Sequence, residues 1–199
     1  NSPEFTTSAT FSAAENQTAI GAATATDADG DTLTYSISGS AITINSSSGV
    51  IAFTSAPDYE TQTSYTATIS ASDGVNTTTQ AITVNVTNVN DNSPEFTTSA
   101  TFSAAENQTA IGTVIATDVD GDEVTFSTSS SDLNITSAGV LTFISAPDYE
   151  TKTSYTATII ANDGIFDSTQ VITVTVTNVN DIAPVITSDA TFSAAENQT

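Results

Sequence analysis

Carboxylates are the one abundant source of chemistry in this sequence. Its 199 residues hold 23 Asp and Glu against a single cationic side chain, Lys152, for a formal charge of −22, and there is no His and no Cys. The acids recur in short motifs: Ala14-Glu15-Asn16, Asp27-Ala28-Asp29-Gly30-Asp31, Asp58-Tyr59-Glu60, Asp73-Gly74 and the run Asn88-Val89-Asn90-Asp91-Asn92. Carboxylates gathered in one place with one lysine in the chain cannot all be paired in salt bridges, so they repel one another unless a cation joins them. Every available ligand is an oxygen, which excludes the usual zinc, copper and iron sites. A many-oxygen, flexible site suits Ca2+ better than octahedral, water-keeping Mg2+.

Taken singly, none of these motifs is a site. Asp27 to Asp31 resembles the opening of an EF-hand loop, but its glycine is misplaced and the twelfth position holds Ser38, as Ser129 does in the second copy, so an EF-hand is rejected. Asp58 and Glu60 could imitate a glycosidase pair. Two residues apart on one turn, they serve better as ligands to one metal cluster, and without His, Cys or a glycine-rich phosphate loop no enzyme activity is expected.

The negative charge repels nucleic-acid phosphates and anionic lipid headgroups, so neither nucleic acid nor direct membrane contact is expected. Without Cys there are no disulfides and no thiolate chemistry. No apolar run approaches the ~20 residues of a membrane span, and a signal or anchor is expected to lie outside this stretch.

A repeat positions the acids. Residues 1–21 recur letter for letter at 92–112, and ATFSAAENQT appears a third time at the C-terminus. Glu15, Glu106 and Glu196 mark one position in successive copies, 91 and 90 residues apart, a domain-sized period. The expected organisation is repeat 1 at 1–91, repeat 2 at 92–181 and the first-strand stub of a third at 182–199, within a longer array.

Inside each repeat, apolar residues alternate with polar ones, as in Leu33-Tyr35-Ile37, Tyr65-Ala67-Ile69-Ala71 and Ile82-Val84-Val86. Period two predicts half-buried strands, and turn signals every ~8–12 residues predict an all-β sandwich. Seven strands fall at 6–14, 19–27, 32–37, 41–45, 50–54, 64–72 and 79–87. If each reverses the last, Glu15, the Asp58-Tyr59-Glu60 turn and the Asn88–Asp91 exit meet at one end. Asp27, Asp29, Asp31 and Asp73 meet at the other. The exit is short, polar and ends at Pro94, which predicts a linker. There the acids of repeat 1 face Asp118, Asp120, Asp122 and Asp163 of repeat 2.

In order and spacing these motifs, with Ala25-Thr26-Asp27-Ala28-Asp29, Ala71-Ser72-Asp73-Gly74 and Asn88 through Phe96, resemble the cadherin family over each repeat end to end. The resemblance implies tandem seven-strand Greek-key β-sandwiches with Ca2+ at the junctions. It implies that Glu15, Asp58, Glu60, Asn88 and Asp91 hold the ions nearer repeat 1, with Val89 offering its carbonyl. Asn90, the Asn92 carbonyl, Asp118, Asp120 and Asp163 would hold the ion nearer repeat 2. The same motifs give Asp27, Asp29 and Asp73 at the start of the chain, and Glu106, Asp148, Glu150, Asn178, Asn180 and Asp181 at the second linker. Two departures stand out. The linkers begin with Asn88 and Asn178 where the family usually has Asp, and Ile182 replaces Asn92 in the second linker. The stub has no paired aspartates, so that second junction is expected to be incomplete.

The expected function is a calcium-stiffened extender of a large extracellular, cell-surface adhesin, of bacterial type, whose partners are the neighbouring repeats. Extracellular modules can use weak sites, of order 10⁻⁴ to 10⁻³ M. The alternative is direct recognition, either homophilic adhesion to other cells or polysaccharide binding. There is no Trp to stack on a sugar, and Tyr59 and Tyr149 are expected to pack over a strand end.

Overall fold

The computed structural model describes residues 1–188 together with Thr191, Ser193 and Glu196. The expected opening strand of a third repeat lies largely outside the described residues, and 182–188 carry no strand. The described residues contain strands, turns and loops and no helix.

The first nine strands are β1 Glu4–Phe5, β2 Thr10–Ala14, β3 Ala19–Ala22, β4 Ala25–Thr26, β5 Thr34–Ile37, β6 Ile42–Ile44, β7 Val50–Phe53, β8 Ser64–Ser72 and β9 Thr77–Thr87. They form a four-stranded sheet in the order β2-β9-β8-β5, a three-stranded sheet β3-β7-β6 and the short pair β1-β4. The next nine repeat the plan: β10 Glu95–Phe96, β11 Thr101–Ala105, β12 Ala110–Thr113, β13 Ala116–Thr117, β14 Thr125–Thr128, β15 Leu133–Ile135, β16 Val140–Phe143, β17 Ser154–Asn162 and β18 Asp167–Thr177. Their sheets run β11-β18-β17-β14 and β12-β16-β15, with the pair β10-β13.

Backbone packing divides the chain into two compact units. Unit 1 comprises Asn1–Glu95, Ala116–Val124 and Asn162–Ser168, and unit 2 comprises Phe96–Ile115, Thr125–Ala161 and Thr169–Thr199.

Alternation builds each core. In unit 1, Ile82, Val84 and Val86 of β9 and Ile69 of β8 are buried, and they pack with Ile42, Ile51 and Phe53 from the opposite sheet. Unit 2 uses the matching set Ile159, Ile172, Val174, Val176, Leu133, Leu141 and Phe143. Each such side chain contributes about 1.5–3 kcal/mol on burial. An edge-to-face contact between Phe53 and Tyr65, with centroids 5.0 Å apart, recurs as Phe143 on Tyr155 at 5.0 Å. Gly49 fixes one turn: its φ is +69°, and a Cβ there would stand 2.2 Å from the Ala23 carbonyl oxygen. That approach lets the Ala23 N–H donate to the Gly49 carbonyl at 2.8 Å.

The expected first strand at 6–14 forms only over Thr10–Ala14, and a separate two-residue strand, Glu4–Phe5, precedes it. β1 pairs antiparallel with β4, Glu4 opposite Thr26, whereas β2 pairs parallel with β9, from Thr10 opposite Thr83 to Ala14 opposite Thr87. Residues 6–9 link the short β1-β4 pair to β2, which forms the edge of the four-stranded sheet beside β9. The expected strand at 19–27 is broken to match, after a register shift between Ala19 and Gly21. The parallel β2-β9 pairing is what seven alternating strands require, because the first and seventh then run the same way.

Candidate metal centre

The strand ends gather the acids as alternation requires. β2 runs straight into Glu15, whose N–H donates to the Thr87 carbonyl at the end of β9 at 3.1 Å, and the next residue, Asn16, donates its N–H to Pro57 at 3.0 Å. The glutamate motif, the Asp58-Tyr59-Glu60 turn and the linker therefore meet at one end of the first sandwich.

Glu15 is 3% exposed, and its carboxylate is shared between two backbone donors. The Tyr59 N–H reaches Oε2 and the Val89 N–H reaches Oε1, each at 2.7 Å. A buried carboxylate thus ties the turn to the linker through charge-assisted hydrogen bonds. Glu106, also 3% exposed, does the same with Tyr149 at 2.8 Å and Val179 at 2.7 Å.

The linker is held a second time by Asp120, which lies in unit 1 with it. Its Oδ2 accepts the N–H groups of Asp91 and Asn92 at 3.0 and 2.9 Å, and its Oδ1 accepts the Asn92 side-chain amide at 3.0 Å. Asn88 donates to the Asp120 carbonyl at 2.6 Å. Loss of water pushes the Asp120 carboxyl up, but the hydrogen bonds from Asn92 and Asp91 outweigh it and leave the pKa below the usual value. Glu60 has the opposite fate. Desolvation first, then its contact with the Asp120 carboxylate and the nearby charge of Glu15, push it up to about 7. Its side chain still reaches solvent, so the like charges beside it are the firmer cause.

Carboxylate oxygens converge within 4.8 Å of one another in three groups of unit 1 around the linker: Glu15-Asp58-Glu60, Glu60-Asp91-Asp120 and Asp118-Asp120-Asp122. Glu60 and Asp120 join these groups into one cluster. Around it, three buried side-chain oxygens have no hydrogen-bond partner: Asp118 Oδ2, Asp163 Oδ2 and Asn90 Oδ1. Buried oxygens without a partner are costly in protein, and those on Asp118, Asp163 and Asn90 have lone pairs free to ligate a cation. With oxygen as the only donor type, the residues present fit Ca2+.

Asp163 shows how local sequence leaves an oxygen free. Its Oδ1 accepts the N–H groups of Ile165 and Phe166, both at 2.7 Å. Asp73 accepts Val75 and Asn76 in the same way, but the Asn76 amide also covers its Oδ2 at 3.1 Å. Phe166 has no such donor, so Asp163 Oδ2 stays bare. Desolvation pushes both carboxyls up, most strongly for Asp163, but backbone hydrogen bonds outweigh it and hold both below the usual carboxylate range, with the nearby Asn90 side chain helping at Asp163.

At the far end of the first sandwich, Asp27, Asp29 and Asp31 converge. The Asp29 N–H donates to Asp27 at 2.8 Å, as Asp120 does to Asp118 at 2.9 Å. Asp29 also takes the Asn1 amino group and, at 2.9 Å, the Asn1 side-chain amide. In unit 2, Glu106, Glu150 and Asp181 converge, and Asn178 donates to Glu150 at 3.0 Å. Asp148 is not in that group; it binds the Thr151 hydroxyl at 2.9 Å and the Glu150 N–H at 3.0 Å. Asn180 is exposed. Asp58 likewise binds the Thr61 hydroxyl at 2.8 Å, which lowers its pKa. Tyr59 and Tyr149 are partly buried against the two cores, as expected of strand-end packing. The backbone clamp made by Glu15, and Asn16 beside it, were not expected from sequence.

Residues 9–87 match the Cadherin domain family. The chain is 38% identical over 132 residues to mouse Protocadherin Fat 4, covering 59% of this chain and 3% of that protein, and 32% identical over 174 residues to mouse Cadherin-4, covering 70% and 19%. It thus spans a small part of these relatives. Among solved structures, mouse Cadherin-23 EC22-24 superposes with a TM-score of 0.78 at 25% identity, covering 91% of this chain and 68% of that one.

Proposed function

Because the chain is built of cadherin-like repeats, we propose that it is a calcium-binding, calcium-stiffened extender of an extracellular, cell-surface adhesin of bacterial type. Repeats at 1–91 and 92–181 and the opening of a third at 182–199 would be links in a longer array. The observation that carries this reading is the set of bare, buried oxygens on Asp118, Asp163 and Asn90 beside the Glu60-Asp91-Asp120 cluster.

In this reading Glu15, Asp58, Glu60, Asn88, Asp91 and the Val89 carbonyl hold ions on the repeat 1 side. Asp118, Asp120, Asp163, Asn90 and the Asn92 carbonyl hold the ion on the other. Asp27, Asp29 and Asp73 are the matching half-site at the start of the chain, and Glu106, Asp148, Glu150, Asn178, Asn180 and Asp181 that at the second linker. Calcium neutralises the cluster and removes the repulsion that raises Glu60. An ion shared across a linker restrains it as a hinge.

The test is metal counting after equilibrium dialysis against millimolar Ca2+, with the double variant Asp118→Ala plus Asp120→Ala as control. Several bound ions per chain, with fewer on the variant, support the assignment. A chain that retains no calcium contradicts it.

A further inference from the structure

The glutamate of each repeat is followed by an asparagine in a conformation that side chains rarely adopt. Asn16 has φ +60° and Asn107 has φ +63°, and among the described residues they are the two non-glycine residues with positive φ. Each makes the same pair of contacts. The Asn16 N–H donates to Pro57, just before the Asp58 turn, at 3.0 Å, and its side-chain amide donates to Asp91 Oδ2 at 2.5 Å. Asn107 donates to Pro147 at 3.0 Å and to Asp181 Oδ2 at 2.6 Å. The left-handed backbone turns the side chain toward the linker, and asparagine is the residue type that tolerates this conformation and carries an amide donor.

We propose that Asn16 and Asn107 are positioning residues that fix the rotamers of the ion-facing carboxylates Asp91 and Asp181. This deepens the calcium reading and rests on it. An amide bound to one carboxylate oxygen sets the plane of the group, so the ion meets a carboxylate already oriented, as outer partners of metal ligands commonly arrange.

The two copies differ in a way that sharpens the expectation. Asp91 has a second amide partner, Asn92, on Oδ1 at 2.6 Å. Ile182 stands at that place in the other linker, and among the described residues Asn107 is the one hydrogen-bond partner of the Asp181 side chain. Asp181 therefore depends on its positioning residue more than Asp91 does.

The experiment replaces each by glycine, which keeps the positive φ and removes only the amide. Asn16→Gly and Asn107→Gly chains, the double variant and the parent are titrated with Ca2+ by calorimetry after chelation, and their melting is followed in chelator. Losses of about tenfold or more in affinity are expected where an outer partner of a ligand is removed, with unchanged melting in chelator and a larger loss for Asn107→Gly. Asn16→Ala serves as a second variant, because it adds backbone strain and should lower melting in chelator where Asn16→Gly does not. Parent-like affinity in the glycine variants overturns the inference while leaving the calcium reading standing. So does a loss of melting temperature in chelator that accounts for the lost affinity. A parent chain that binds no calcium overturns both.

Discussion

Replacing Glu15 and Glu106 together by Gln separates two jobs that one carboxylate can do: holding an ion and holding the backbone. Each glutamate, 3% exposed, receives two backbone N–H groups at 2.7–2.8 Å, one from the turn and one from the linker. Gln can accept only one of them and sets its own NH2 against the other. A hydrogen bond to a charged group contributes about 1.5–3 kcal/mol, and leaving the donor unpaired costs about as much. Removing the charge also relieves repulsion with the neighbouring glutamate, Glu60 beside Glu15 and Glu150 beside Glu106, worth about 1 kcal/mol for carboxylate oxygens within 4.8 Å with water-like screening. The net loss is about 1–2 kcal/mol per repeat, or about 5–15 °C in Tm for a domain of this size. The assay is thermal melting in chelator, where ligand roles are silent. If these glutamates only held ions, the variant would melt at or above the parent temperature in chelator, and that result would refute the clamp.

Glu60 makes calcium affinity dependent on pH. With its pKa at about 7, calcium must displace a proton below neutrality, so affinity should fall by up to about tenfold per pH unit from 7 toward 5; calorimetry in buffers of different ionisation heat reads the released proton. In chelated protein the sign is reversed: a folded pKa raised from 4.5 adds stability that is complete below 4.5 and lost as pH rises through 7, so melting should be higher at pH 5 than at pH 8. Gly49→Ala forces a side chain onto a φ of +69° and a Cβ to within 2.2 Å of the Ala23 oxygen, which should cost about 2–4 kcal/mol in denaturant titration. Asn88→Asp replaces the amide that donates to the Asp120 carbonyl at 2.6 Å with a carboxylate; melting in chelator should fall by about 1 kcal/mol while calcium binding tightens.

Much of the acidic clustering was legible because strand parity is arithmetic. Alternating apolar residues located β5, β8 and β9, and counting reversals sent Glu15, Asp58 and Asn88 to one end and Asp27 and Asp73 to the other. What escaped was set by backbone conformation and not by residue type. The three consecutive polar residues Thr6, Thr7 and Ser8 interrupt the alternation between Phe5 and Ala9, but in a chain this rich in Thr and Ser such a run does not stand out as a strand break. The positive φ of Asn16 is equally silent, since asparagine is common throughout this chain. Glu15 was recognised as an acid in a motif, but its burial and its two backbone donors follow from where the turn and linker fall once the sandwich is closed. The Phe166 that bares Asp163, where Asn76 covers Asp73, is a difference between the copies that acquires meaning only beside the carboxylate.

Calcium bound at the linker should stiffen the array. We would titrate Ca2+ into the chelated chain by calorimetry and follow its maximum dimension by small-angle scattering, with Asp118→Ala plus Asp120→Ala as control. Several ions should bind, the chain should lengthen as they do, and the control should lose both effects. Calcium that produces neither heat nor a change in dimension would contradict the calcium reading.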